Sequence, residues 1–178
     1  ALVEGKPFLE YVLQGLKKSG IDDIIFAVGY KGGMVEEYFG DGARFGIRAR
    51  YAYEEELLGT AGAIKNAGKY VTDEQFFVLN GDTFYQMDFG DLSRIQQEKN
   101  LEMALVLRGV PDISRYGAAR LTDGLLTAFN EKNGNTGAGT INGGVYLMKR
   151  ALLDEIPEGK VSLENECIPR WMQEGRRL

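Results

Sequence analysis

A chain of 178 residues with 44% hydrophobic and 26% charged side chains suits one domain with a sizeable core. Its net charge of −5, without a long basic run, speaks against a nucleic-acid surface, and no apolar run approaches the ~20 residues that span a bilayer. It has no histidine and one cysteine, Cys167, which excludes an internal disulfide, His-ligated zinc, His-activated nucleophiles and imidazole acid–base catalysis.

In chain order, Pro7 suits the first turn of a helix that carries Phe8, Leu9, Val12, Leu13 and Leu16 on one face and stops at Gly20. Ile24 to Val28 reads as a buried strand, Gly29 to Gly33 as a turn, and Met34 to Phe39 as a short helix. Gly46 to Tyr53 alternates like a strand, and Gly59 to Ala67 reads as a helix entered through a glycine-threonine turn. Phe76 to Leu79 is a fully apolar strand ending in Asn80-Gly81-Asp82. Asp91 is placed to cap a helix running to Lys99, and Leu101 to Leu107 is another strand.

The second half turns to β structure. Tyr116 to Leu121 and Leu125 to Phe129 flank Thr122-Asp123-Gly124, a hairpin signal, and Thr140 to Met148 is a further strand. Asn133 to Gly139 (NGNTGAG) has the composition of a mobile loop. A helix starts near Ser162, with Glu164 and Glu166 in its first turns, and carries Ile168, Trp171 and Met172 as core; Cys167 also reads as core. Strands alternating with helices predict an α/β fold with a doubly wound, mostly parallel, Rossmann-like sheet, whose ligands sit beyond the carboxyl ends of the strands.

The candidate chemistry lies at those ends. Asp82, after a buried strand and beside Gly81, is suited to a hard cation such as Mg²⁺ that bridges to phosphate oxygens, or else simply caps a turn. Leu58-Gly59-Thr60-Ala61-Gly62 opens a helix. It either admits a ligand and its negative charge or lets the helix pack tightly. Glu131 and Lys132, at a strand end, suit sugar hydroxyls and a phosphate, or form a solvated charge pair. Asn142-Gly143-Gly144 within a β-rich run marks a bulge or a close ligand, and Tyr116-Gly117 offers backbone to a sugar ring. With no histidine, the chemistry left to carboxylates, lysines, backbone amides and hard metals includes phosphoryl and nucleotidyl transfer.

Taken together, GKPFLEY, LGTAG, LNGDTF, RYG, FNEK and INGGVYLM, in that order from about Gly5 to Arg170, resemble the sugar-phosphate nucleotidyltransferase family. The resemblance is nearest to heptose 1-phosphate guanylyltransferases, with mannose 1-phosphate guanylyltransferases as neighbours. It implies a nucleotide-diphospho-sugar transferase type of sheet with an inserted β-rich sugar-binding region. One domain would span 1–178, with a nucleotide-binding part at 1–110 and a sugar-binding part at 111–150. Asp82 would be the Mg²⁺ ligand, acting in catalysis with Lys132. Leu58, Gly59, Thr60, Ala61, Gly62, Asn80 and Gly81 would bind nucleotide. Tyr116, Gly117, Glu131, Lys132, Asn142, Gly143 and Gly144 would bind the sugar phosphate.

The substrates implied are a nucleoside triphosphate, GTP by the branch, and a sugar 1-phosphate. The products are an NDP-sugar and pyrophosphate. No nucleic-acid or membrane partner is expected, and apolar residues in the second half would suit a homo-oligomer. The lone thiol and the absence of a secretory signal at Ala1-Leu2-Val3-Glu4 fit a cytoplasmic enzyme. The family's glycine-rich phosphate loop and second metal-binding aspartate have no counterpart in these residues. That reads as a truncated chain, inactive alone, with apolar faces bared on the strands beside the missing one. Two rivals stay open: a nucleotide-sugar glycosyltransferase, against which stands Asn80 two residues before Asp82 where an acid would be usual, and a non-catalytic ligand-sensing domain.

Overall fold

A computed structural model describes residues 1–114, 117–130 and 136–178. Leu2–Val3 (β1) pairs antiparallel with Lys6–Pro7 (β2), directly before helix Phe8–Lys18 (α1). Asp23–Val28 (β3), Gly32–Phe39 (α2), Arg48–Tyr53 (β4) and Gly59–Gly68 (α3) follow. Next come Gln75–Leu79 (β5), Phe89–Glu98 (α4), Met103–Val110 (β6), Ala118–Thr122 (β7), Leu125–Asn130 (β8) and Gly139–Lys149 (β9). Two short helices, Leu152–Glu155 (α5) and Ile168–Gln173 (α6), close the chain.

β3 and β4 pair in parallel, Asp23 opposite Arg48 through Val28 opposite Tyr53. In the larger sheet β9 lies between β5 and β6 and runs antiparallel to both, so β5 and β6 are parallel to each other. The hairpin β7–β8 joins the far half of β9 through Ala118 opposite Ile141. Among the described residues parallel pairing is thus confined to β3–β4, because the strand that returns from the β-rich half inserts against the direction of its neighbours.

The period of two along each strand divides the core into two layers. Phe76, Val78, Met103, Leu105, Tyr146 and Met148 face one cluster, with Ile64, Leu152 and Trp171 from the helices. Phe77, Leu79, Ala104, Val106, Val145 and Leu147 face the other, with Leu13, Leu16, Phe39 and Leu92. Leu147 and Met148 are fully buried, each stabilising the fold by roughly 1.5–3 kcal/mol. Cover on both faces is what makes β5 and β9 read as continuous apolar runs. Cys167 and Trp171 are core, and burial pushes the Cys167 thiol above its ordinary value.

Several local expectations shift. The cap of α4 is Asp88, whose carboxylate accepts from Gly90 N at 2.8 Å, and Asp91 lies in the first turn instead. Asp123 and Gly124 both have positive φ, the pair of left-handed residues a two-residue hairpin needs. Ser162 caps a π-helical turn, Leu163–Cys167, rather than an α-helix. Asn133 to Asn135 lie outside the described residues, but Gly137 is tied down: Ile113 N donates to its carbonyl at 2.9 Å.

β3 and β5 each have one recorded sheet neighbour, yet neither bares a large apolar side chain. All five β5 residues are half-buried, and Phe26 and Val28 of β3 are buried. In the second half only Ile95 and Leu121 stand exposed among the described large hydrophobics, which is not an apolar patch. Among the described residues no helix is long and apolar enough to cross a membrane.

Candidate active site

Asp82 sits where β5 leaves the sheet. Asn80 N still bonds to Gly144 O of β9 at 2.9 Å, and a turn closed by Thr83 N to Asn80 O at 3.2 Å presents Gly81 and Asp82 outward. Both are exposed. Among the described residues, one side-chain bond reaches the Asp82 carboxylate, from Thr83 Oγ1 at 3.4 Å, and it has no ion pair. A carboxylate with its lone pairs this free fits a hard divalent cation as one protein ligand. Mg²⁺ is commonly held by one or two carboxylates together with phosphates and water. No group of three potential ligands exists among the described residues, so such a cation would lean on substrate oxygens.

The Asn142-Gly143-Gly144 turn lies against this corner. β6 and β9 fall out of register here: Leu105 faces Tyr146 and Leu107 faces Asn142, leaving three β9 residues opposite Val106 alone. That is a bulge. Its glycines are required by the protein itself. A Cβ on Gly143 would sit 2.8 Å from Val106 O, and one on Gly144, at φ +71°, would sit 2.7 Å from Asn80 Nδ2. Asn142 Oδ1 accepts from Gly144 N at 3.0 Å, which fixes the turn.

Leu58 to Gly62 shows a similar economy. A Cβ on Gly59 would meet Val161 O at 2.6 Å, and one on Gly62 would meet Gly159 O at 2.3 Å. Ala61 N and Gly62 N both donate to Val161 O, and Leu58 N donates to Glu54 Oε2. Part of the anion-binding capacity expected of this helix start is therefore used inside the protein. The glycines let α3 pack against residues 159–161. Thr60 stays exposed at the front of the segment.

Thr60 leads to a residue the sequence reading passed over. Its hydroxyl donates to Glu164 Oε2 at 2.6 Å and accepts from Leu163 N at 2.7 Å. Glu164 Oε1 accepts from the buried Tyr146 hydroxyl at 2.9 Å, and that hydroxyl accepts from Asn142 Nδ2. Burial first, then the Glu164 carboxylate, push the Tyr146 phenol well above its ordinary value, so it stays a donor. Glu166 accepts from Ser162 N at 2.8 Å, as a capping acid does, which leaves Glu164 for another use, but no local spacing in the sequence pairs Glu164 with Thr60 or Tyr146.

The described site residues thus converge. Asn80 touches the Gly144 turn, Thr60 reaches Asn142 through Glu164 and Tyr146, and Gly117 precedes Ala118, whose partner Ile141 adjoins Asn142. Tyr116, Glu131 and Lys132 lie outside the described residues. A cleft of about 260 Å³ along α3 shares Leu58 and Gly62 with this constellation but is not lined by Asp82 or the Asn142 turn.

A family model described as nucleotidyl transferase matches residues 1–176. This chain belongs to the nucleotidyl transferase family. It is 37% identical over 171 residues to D-glycero-alpha-D-manno-heptose 1-phosphate guanylyltransferase of Aneurinibacillus thermoaerophilus, covering 96% of this chain and 74% of that protein. It is 32% identical to mannose-1-phosphate guanylyltransferase of Mycobacterium tuberculosis, spanning about half of it (48%). Among solved structures, HddC from Yersinia pseudotuberculosis superposes with a TM-score of 0.83 at 30% identity over 96% of this chain and 75% of that one; the same protein is also known complexed with GMP-PN. Membership of this family and a sheet covered on both faces establish a doubly wound α/β nucleotidyltransferase fold.

Proposed function

We propose that this member of the nucleotidyl transferase family transfers GMP from GTP to a heptose 1-phosphate, releasing pyrophosphate and a GDP-sugar in the cytoplasm. The observation that carries the reading is the contact between Asn80 N and Gly144 O, which sets the Asp82 corner against the Asn142 turn at one end of β5. The names of the relatives supply the guanine and the heptose, and mannose 1-phosphate is the neighbouring substrate.

The chemistry is consistent with a chain that has no histidine. A phosphate oxygen of the sugar 1-phosphate forms a bond to the α-phosphorus of GTP, and the bond from that phosphorus to the α,β-bridging oxygen breaks, so that pyrophosphate leaves with that oxygen. The nucleophile is already an anion, so no proton has to be removed. The difficulty is to hold two anions in line. Mg²⁺, when bound, would neutralise phosphate charge. Asp82 would hold that cation, and Asn80 and Gly81 would line the nucleotide's approach with Leu58 to Gly62. Asn142, Gly143, Gly144 and Gly117 would shape the sugar side, with Tyr116, Glu131 and Lys132 completing it, Lys132 as the cation on the sugar phosphate.

The test is pyrophosphate release by the protein in its full natural length, with each nucleoside triphosphate paired with heptose, mannose and glucose 1-phosphates and Mg²⁺ present. Release with GTP and a heptose phosphate supports the reading. Release with another pair moves the substrate, and nucleotide binding with no release from any pair replaces the enzyme with a ligand-sensing domain.

A further inference from the structure

We infer that Glu164 is a positioning residue whose single carboxylate sets the nucleotide-side and sugar-side segments relative to each other. The inference rests on the transferase reading above. Glu164 accepts hydrogen bonds from Thr60 Oγ1 at 2.6 Å, from Tyr146 OH at 2.9 Å and, more weakly, from Ser162 Oγ at 3.4 Å. All three partners donate. An ionised carboxylate is the side chain that only accepts, so the node is matched to Glu and mismatched to an amide or a hydroxyl.

Each donor is itself fixed from behind. Thr60 is held by Leu163 N, Tyr146 by Asn142 Nδ2, and Ser162 Oγ by Asn165 N at 3.1 Å. The hydroxyl of Tyr146 therefore relays between Glu164 and Asn142, while Asn142 Oδ1 holds Gly144 N and Gly144 O holds Asn80 N. The path runs Thr60, Glu164, Tyr146, Asn142, Gly144, Asn80, and Asp82 lies two residues beyond. It crosses from α3 to the end of β5 through side chains and turns with little freedom. The widened π-helical turn at Leu163–Cys167 carries Glu164 at this point, and such turns often mark functional sites. A buried phenol without its acceptor would carry the full cost of an unmade bond, so the network holds together or fails as a unit.

The arms are separable by substitution. Tyr146→Phe keeps the ring in the core and cuts only the arm to Asn142. It should raise KM for the sugar 1-phosphate about tenfold, the scale of one lost buried hydrogen bond, while leaving equilibrium binding of a non-hydrolysable GTP analogue within about twofold. Thr60→Val cuts the other arm and should weaken binding of that analogue. Glu164→Ala should show both defects, and Glu164→Gln should restore part of each, since the amide oxygen can still accept from one donor. Unfolding midpoints are read on every variant, and kinetics are normalised to folded protein.

Equal losses of kcat with both KM values unchanged would mark the network as structural only and overturn the inference. So would a Glu164→Gln defect in sugar binding alongside a normal Tyr146→Phe, because Glu164 would then touch the sugar itself. A wild-type protein inert with every substrate pair sinks the transferase reading and this inference with it. An active wild type with unaffected variants sinks this inference alone.

Discussion

Gly62 of α3 lies so close to the Gly159 turn that a Cβ on it would stand 2.3 Å from the Gly159 carbonyl oxygen. Backbone cannot swing aside as a flexible side chain can, so Gly62→Ala must push the helix away from residues 159–161. We expect a loss of about 1–3 kcal/mol in urea unfolding, the usual cost of overpacking, and weaker nucleotide binding as Thr60 moves with the helix.

Gly15 is the counter-case. It lies inside α1, its φ is not left-handed, and an added Cβ would meet nothing within 4 Å. Gly15→Ala should stabilise by about 0.5–1 kcal/mol through the unfolded chain's lost freedom and better helix propensity, with activity unchanged. The same urea titration reads it, and a destabilised variant would contradict the surroundings described for α1.

Asp82→Asn separates chemistry from stability. The carboxylate is exposed and receives one long bond from Thr83, so the unfolding free energy should stay within about 0.5 kcal/mol of wild type. Pyrophosphate release should fall at least about 100-fold, as expected when a charge-stabilising group is lost. A variant that keeps its activity would remove Asp82 from the site.

Asp23 ties β3 to β4 through Arg50 and Arg48, each at 2.7 Å. Burial opposes its ionisation, but the hydrogen bonds from Arg50 and Arg48 outweigh it and hold the carboxyl below its ordinary value. A depressed folded-state pKa contributes stability that is full above the unfolded value and lost as pH falls through the folded one. Stability should therefore drop as pH falls below the ordinary aspartate range near ~4, and Asp23→Asn should flatten that part of the profile. Urea midpoints measured across acid pH give the slope, and an unchanged slope in the variant would refute the linkage.

Much of the fold was legible because local patterns were strong. The apolar stripe from Phe8 to Leu16, the β-branched run at Ile24 to Val28 and the run Phe76 to Leu79 each lie within the element they predicted. LGTAG opens α3 and NGD ends β5 as expected, and INGG lies at the β9 bulge that its paired glycines suggested. What failed locally failed for local reasons: Asp88 and Asp91 are both acids near the start of α4, and only backbone geometry tells which one caps it.

The sequence by itself determined the helices and strands, the chemistry open to a chain without histidine, and the family, because these depend on residue type and short spacing. Only the tertiary structure decided that β9 enters between β5 and β6 against their direction, since strand order depends on long-range pairing that no local period encodes. It also decided what the glycines are for. Gly59, Gly62, Gly143 and Gly144 make room for carbonyls and a side chain far away in sequence or across the sheet. Glu164 belongs to the same class: its partners Thr60 and Tyr146 come from α3 and β9, and only packing could bring both to one carboxylate.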